Sequence, residues 1–270
     1  MRFIAPFLMK RKAVLKFCLI ACSVAATALV LLVLKSAYGH RIEWQMIQDR
    51  PYGEFDFREM TVRVNGNRLT VDCVSSLRKT TVIELNDVQN LDGPQLVQAQ
   101  RGMRGVVING GYFDSAFRPV GLFRLDGVER NPLSHQPLLN AVIVSDDAGN
   151  VALVHPSAAG IGQARFARQC GPMLIGSDDR PGNWDRAAER TAIVVGASRV
   201  ALLKTSPCRL TDLQYLLQHA PDALGIPDVQ AAANLDGGPS SGMQVYDNRE
   251  VVSRSEPRGR ITDTVTCFSK

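Results

Sequence analysis

Residues 234–241 read Asn-Leu-Asp-Gly-Gly-Pro-Ser-Ser, and no other run in the chain concentrates so much capacity for chemistry. Asp236 supplies a carboxylate, Asn234 an amide, and Ser240 and Ser241 hydroxyls, on a backbone that two glycines and a proline force out of regular structure. Such a turn can direct the N–H groups of Gly237, Gly238, Ser240 and Ser241 at an anion, with Pro239 contributing none. By composition alone the same residues make an ordinary Gly-Gly hairpin turn, and both readings stand at this point. A second polar turn, Asn109-Gly110-Gly111-Tyr112-Phe113-Asp114, follows the apolar run Val106-Val107-Ile108. Two strand-end turns that each carry Asn and Asp could converge at one rim of a sheet and bind a polar ligand there.

Four more stretches fall between the two turns in a fixed order: Pro119-Val120-Gly121-Leu122, Asp126-Gly127, Gly171-Pro172-Met173-Leu174-Ile175 and Arg190-Thr191-Ala192-Ile193. The ordered set resembles the phosphodiester glycosidase family, and the resemblance runs over about residues 60–268. That family includes the catalytic domain of the lysosomal uncovering enzyme, which removes N-acetylglucosamine from a sugar phosphodiester, and many bacterial exported proteins. The resemblance implies a hydrolase that cleaves a glycosyl–phosphate bond. A non-catalytic glycan-binding or polysaccharide-assembly protein of the same fold is the alternative.

Cleavage at the anomeric carbon develops oxocarbenium character on the sugar, and a carboxylate beside that carbon stabilises it or activates water. Asp236 is the first choice for that role. A phosphate departs as a stable anion, with a second pKa of about 6, so charge neutralisation matters more than protonation of the leaving oxygen. Arg190 suits that task because its planar donor fork matches phosphate oxygens, the alternative being a structural salt bridge with Glu189. Asn109 and Asn234 would hold sugar hydroxyls or orient Asp236, Gly110 and Gly111 would complete the binding turn, and Ser240, Ser241 and Thr191 would bond phosphate oxygens. Each of the polar side chains could equally cap its own turn. Asp114 is the candidate second acid or cation ligand, and Asp212 reads as a helix cap. His40, His135, His155 and His219 fall in none of the motifs, and no zinc-ligand or Ser-His-Asp spacing is present. No cofactor or metal is expected: a divalent cation would suit a phosphate ligand, but no EF-hand-like loop supports one.

The elements that must position these residues are mostly strands. Thr61–Val64 and Leu69–Cys73 flank Asn65-Gly66, a strong hairpin signal between alternating apolar runs. Further strands are expected over 81–85, 105–109, 121–125, 141–145, 151–155, 173–175, 191–196, 199–204 and 243–246. Helices are expected over 93–102 and 211–220, the second from the spacing of Leu213, Leu216 and Leu217 behind a Thr or Asp cap, with Pro221 and Gly225 to stop it. The sum is an α+β chain: a single domain from about residue 45 to 270, built on a large mixed, mostly antiparallel sheet with few helices.

Before that domain comes a leader, residues 1–39. Arg2, Lys10, Arg11, Lys12, Lys16 and Lys35 lie within the first 35 residues without one acid, so the net charge of +5 belongs to the leader and the rest is close to neutral. A nucleic-acid partner thereby loses its main support. The uncharged run Phe17–Leu34 has the length of a membrane anchor, whereas Ala37-Tyr38-Gly39 offers a signal-peptidase site and Leu19-Ile20-Ala21-Cys22 a lipoprotein box. Under each reading the basic N-terminus stays inside and residues 40–270 are exported, giving a periplasmic or extracytoplasmic protein tied to the inner membrane by residues 17–34 or released from it. In that oxidising compartment Cys73, Cys170, Cys208 and Cys267 are expected to form at least one disulfide.

Overall fold

Asn65 and Gly66 both take positive φ, 51° and 81°. They make the two-residue turn joining β2 (Phe55–Val64) to β3 (Asn67–Leu77), as the Asn-Gly pair predicts. The computed structural model describes residues 42–90, 95–98, 104–180, 182–247 and 250–269. The leader with its apolar run 17–34 lies outside those residues, as do both ends of the helix expected over 93–102, of which the turn α1 (Gln95–Gln98) is described.

One large sheet was expected, and three are found. The first has seven strands, β1-β2-β3-β13-β12-β14-β11, where β1 is Glu43–Tyr52, β11 Met173–Ile175, β12 Ala188–Gly196, β13 Arg199–Cys208 and β14 Val229–Asn234. The second orders β7 (Val128–Asn131), β6 (Phe123–Leu125), β10 (Phe166–Cys170), β8 (Ala141–Ser145) and β9 (Val151–Val154). The third orders β16 (Glu250–Ser255), β15 (Met243–Asp247), β5 (Gly105–Asn109), β17 (Asp263–Ser269) and β4 (Thr81–Asp87). Every ladder among the described residues is antiparallel, so the sheets are not mixed.

The three sheets share one core because each turns an apolar face inward. Ile193 and Val195 from the first sheet, Ile143 and Phe166 from the second, and Ile108 and Val265 from the third pack in the same cluster. The alternate residues of β12, Ala192 and Val194, face the other way and pack with Leu213, Leu216 and Leu217 of α2 (Leu210–His219). Burial on both faces is why β12 and β13 read as continuous apolar runs rather than alternations. The result is a single sheet-rich domain with, among the described residues, one helix longer than a turn.

Two local expectations are corrected. Asp212 does not cap α2: its carboxylate accepts hydrogen bonds from Asn65 Nδ2 at 3.1 Å and Asn67 Nδ2 at 3.0 Å, pinning the hairpin turn to the helix. The four cysteines are separate, buried thiols rather than disulfide partners. Cys170 and Cys267 lie in the inter-sheet core, and Cys73 and Cys208 in the layer under α2, each placed by the facing of its own strand.

Candidate active site

The two polar turns do converge, but from different sheets. β5 of the third sheet ends at Asn109 and β14 of the first ends at Asn234. The backbone N–H of Asp236 donates to Gly110 O at 3.1 Å, tying one turn to the other. Leu235 points into the main core, so the strand alternation leaves Asp236 facing outward from the seam.

The Asp236 backbone is held firmly. Its carbonyl accepts from Asn109 Nδ2 and from Thr191 Oγ1, both at 2.8 Å. Its side chain accepts from the Gly237 N–H at 2.8 Å and from the Ser240 hydroxyl. Burial raises the Asp236 pKa above the usual carboxylate value, and these two hydrogen bonds oppose the shift without cancelling it. A carboxylate that is fixed, partly desolvated and reluctant to ionise fits acid–base or electrostatic work at a reacting carbon.

Asp236 opens into a cavity of about 350 Å³ that Tyr112, Leu138, Pro172, Arg186 and Arg190 also line, and among the described residues it is the only carboxylate on that wall. Arg190 is anchored through Nη2 to Arg186 O at 2.6 Å and through Nε to Cys208 O at 3.4 Å. It makes no ion pair among the described residues, and the neighbouring Glu189 pairs with Arg258 at 2.8 Å. Partial burial lowers the Arg190 pKa, so the site holds a cation at some cost and would gain from an anion beside it. The Tyr112 hydroxyl donates to Gly171 O at 2.9 Å and accepts from Asn234 Nδ2 at 3.1 Å, and its own pKa is raised first by burial and then by the charge on Asp236.

Several predicted ligand contacts are structural bonds instead. Thr191 is buried with its hydroxyl spent on the Asp236 carbonyl. Asn109 is buried too, donating to that carbonyl while its Oδ1 accepts from the Gly242 N–H at 3.1 Å. Asn234 donates to Tyr112 Oη, Gly171 O and Leu235 O. Of the four amides expected to cradle an anion, Gly237 serves Asp236 Oδ1, and Ser240 and Ser241 close a 3-10 turn onto Gly237 O and Gly238 O. That leaves the Gly238 N–H, at a residue with φ of 62° on the cavity wall. Ser240 bonds the Asp236 carboxylate, and Ser241 is buried with its hydroxyl unpartnered.

Asp114 is not brought to the cavity. It accepts N–H bonds from Ala116 at 2.9 Å and Arg118 at 3.0 Å and pairs with the Arg118 side chain at 2.7 Å, which lowers its pKa and makes it a turn brace rather than a proton donor. Gly110 and Gly111 give their N–H groups to Asp263, at its carbonyl across 2.7 Å and its carboxylate across 3.1 Å. A Cβ on Gly110 would overlap the Asp263 carboxylate, and one on Gly111 would crowd the Arg168 guanidinium at 2.5 Å. Among the described residues no cluster of three or more His, Cys, Asp or Glu side chains suits a metal ion.

Sequence reasoning missed Arg168 and Asp263, which form a salt bridge of 2.8 Å beneath the site with neither side chain exposed. Arg168 also donates to Tyr112 O at 2.7 Å and Val120 O at 2.9 Å, and Asp263 accepts from the Gly111 N–H at 3.1 Å. The pair therefore holds the whole 110–120 turn. A charged residue inside Phe166-Ala167-Arg168-Gln169-Cys170 was the available signal, since an arginine there must find a buried partner. Tyr112, Asn183 and Arg186 were missed as cavity lining because they lie outside the Asp236 segment.

The chain shares its fold with a hypothetical protein from Synechocystis, at TM-score 0.61 and 13% identity over 86% of this chain and 68% of that one. It is also similar to the zebrafish N-acetylglucosamine-1-phosphodiester alpha-N-acetylglucosaminidase catalytic domain, auto-inhibited by its pro-peptide, at TM-score 0.55 and 17% identity over 85% and 88% of the two chains. No curated protein matches the chain in sequence. The sequence pattern described as phosphodiester glycosidase matches residues 103–266, a span that holds both converging turns, Arg168, Arg190 and Asp263, and on that match the chain belongs to the phosphodiester glycosidase family.

Proposed function

We propose that the chain is an extracytoplasmic hydrolase that cleaves the glycosyl–phosphate bond of a sugar-1-phosphodiester in an envelope glycan or exopolysaccharide. The observation that carries this reading is the sharing of one cavity by Asp236 and Arg190, a desolvated carboxylate and a cation with no acid partner among the described residues. Asp236 stabilises the developing positive charge at the anomeric carbon or takes the proton of the attacking water. Arg190 and the Gly238 N–H meet the phosphate as the C1–O bond breaks and its electron pair passes to the phosphate oxygen. The water oxygen ends on the sugar, and a phosphate monoester leaves. No second carboxylate is needed to protonate that leaving group.

Export is supported by the basic start and the apolar run 17–34, which would tether residues 40–270 to the outer face of the inner membrane. Incubation of the protein with a panel of sugar-1-phosphodiesters should release free sugar and a phosphate monoester, and Asp236→Asn should abolish that release. Binding across the panel without any product would instead make the protein a glycan-binding member of its family.

A further inference from the structure

β1 is the outer strand of the seven-stranded sheet and the first described element after the leader. Ile42 and Met46 turn inward and pack against the layer under α2, while Trp44, on the same side between them, stays 51% exposed. Ile47 is 55% exposed for a different reason. The ladder with β2 slips between Met46 and Gln48, so Ile47 stands opposite no residue and is pushed out of the pleat. Asp49, Arg50 and Pro51 guard the far half of this edge against another strand, whereas the near half offers two large apolar side chains to the outside.

The exposed charges on β1, β2 and β3 are Glu43, Asp49, Arg50, Arg63 and Arg68. Asp49 pairs with Arg58 at 3.5 Å, and the three exposed arginines make no ion pair among the described residues. Glu43 stands opposite Arg63 in the ladder, so the balance of the patch is positive. A tryptophan and an isoleucine beside uncompensated arginines have the chemistry of a bilayer interface, where tryptophan settles at headgroup level and cations meet anionic lipid. The bulge at Ile47 breaks the regular ladder that a strand of a second copy would pair with, so apolar side chains rather than the backbone edge are what β1 presents. Chain length agrees with a bilayer as the occupant: residues 35–42, between the apolar run 17–34 and β1, span at most about 29 Å when fully extended.

We propose that the β1 edge docks on an anionic lipid surface, with Trp44 and Ile47 entering the headgroup layer and Arg50, Arg63 and Arg68 meeting lipid phosphates. The proposal rests on the membrane tether put forward above and goes beyond it, since a tether alone leaves the domain free to turn. Docking fixes the height of the candidate site. Met46 lies level with Arg190 through the successive cross-strand partners Met60, Val71 and Thr205, and the four strand spacings between them come to about 19 Å. The cavity of Asp236 is thereby held near the headgroups and restricted to bonds in the membrane-proximal layer.

The test reconstitutes the full chain in vesicles of phosphatidylcholine, with or without phosphatidylglycerol, whose acyl chains carry bromine, and reads tryptophan emission. The chain has two tryptophans, and Trp184 is only 6% exposed. Bromine should quench the Trp44 share of the emission two-fold or more, and Trp44→Phe should abolish the quenching while the remaining Trp184 emission shows that the fold is kept. Ile47→Glu should reduce the quenching at least two-fold, and Arg63→Ala with Arg68→Ala should do so only where phosphatidylglycerol is present. Quenching that survives Trp44→Phe, or that either Ile47→Glu or the arginine pair leaves untouched, overturns docking, because nearness through the tether alone is blind to both. Retention through an alkaline wash reads the tether by itself: a retained chain without quenching keeps the tether and sinks docking, and a quenched chain that washes off does the reverse. Trp44 emission that shifts to the blue without quenching, from a chain of doubled mass, seats a second copy on β1 and also overturns the proposal.

Discussion

The carboxylate of Asp263 lies directly against the backbone of Gly110, leaving no room there for a side chain, while on its other side it holds Arg168 at 2.8 Å with both groups sealed from solvent. The glycine that looked like part of a ligand-binding turn is there to let a buried ion pair reach the turn. Breaking such a pair by removing or displacing one partner costs about 3–5 kcal/mol. Gly110→Ala is therefore expected to lower unfolding stability by that order or to prevent folding. Gly127→Ala, at a φ of 76° in open space, should cost only about 1 kcal/mol of backbone strain. Urea denaturation of the two variants measures the contrast.

Asp236→Asn should lower kcat by about 10²–10⁴ and at the same time raise the Tm at pH 7. Burial holds the folded-state pKa of Asp236 above the ordinary value of about 3.8. Between those two values the folded chain binds a proton that the unfolded chain has released, so stability falls as the pH rises through this window and stays lower above it. Asparagine carries no charge and escapes that loss. The Tm gain of the variant should shrink as the pH is taken down through the window and vanish below about 3.8. In the active protein the acid limb of kcat/KM should lie above the ordinary aspartate range. A limb at the ordinary value, with no Tm gain for the variant, would remove Asp236 from this role.

Thr191→Val and Arg190→Ala should fail differently. The Thr191 hydroxyl holds the Asp236 carbonyl, so its loss should cost about 1 kcal/mol of stability and lower kcat with little change in inhibition by inorganic phosphate. Arg190 borders the cavity with no acid partner among the described residues, so its loss should weaken phosphate inhibition ten-fold or more with little effect on Tm. Steady-state kinetics with phosphate as inhibitor separates the two. Equal effects on phosphate would return Thr191 to the ligand-binding set.

Iodoacetamide at pH 8 should leave Cys73, Cys170, Cys208 and Cys267 unmodified in the folded protein and label all four in guanidinium without a reductant, as peptide masses would show. Burial pushes the thiols of Cys73, Cys170 and Cys267 up to about 12 and that of Cys208 in the same direction, so the reactive thiolate is scarce in the folded state. Any pair that needs reduction before labelling would restore the expected disulfide.

What could be read without coordinates was whatever local chemistry dictates. Asn65-Gly66 forced a hairpin, the spacing of Leu213, Leu216 and Leu217 forced α2, and the apolar runs of β5, β8, β12 and β13 announced strands. β10 and β17 escaped notice because Arg168, Gln169, Asp263, Thr264 and Thr266 interrupt their apolar pattern, yet all five are buried. For most of them distant segments supply partners: the two charges neutralise each other across 95 residues, Gln169 is satisfied by the backbone of 122–139, and Thr266 accepts from Asn86, whereas the Thr264 hydroxyl is buried without one.

The same division runs through the candidate site. The sequence by itself determined that Asp236 sits in an open glycine turn at a strand end and that Asn109 ends another, because turn geometry follows from the residues within the turn. Only the tertiary structure decided which of the polar groups face the cavity. Asn109, Thr191 and Asn234 have the same hydrogen-bonding capacity wherever they lie, and packing commits them to the Asp236 backbone, Tyr112 and Gly171, while Arg190 lines the cavity and the neighbouring Glu189 pairs with Arg258. A residue type fixes what a group can bond, whereas the partner it meets first is settled by chain segments far away in the sequence.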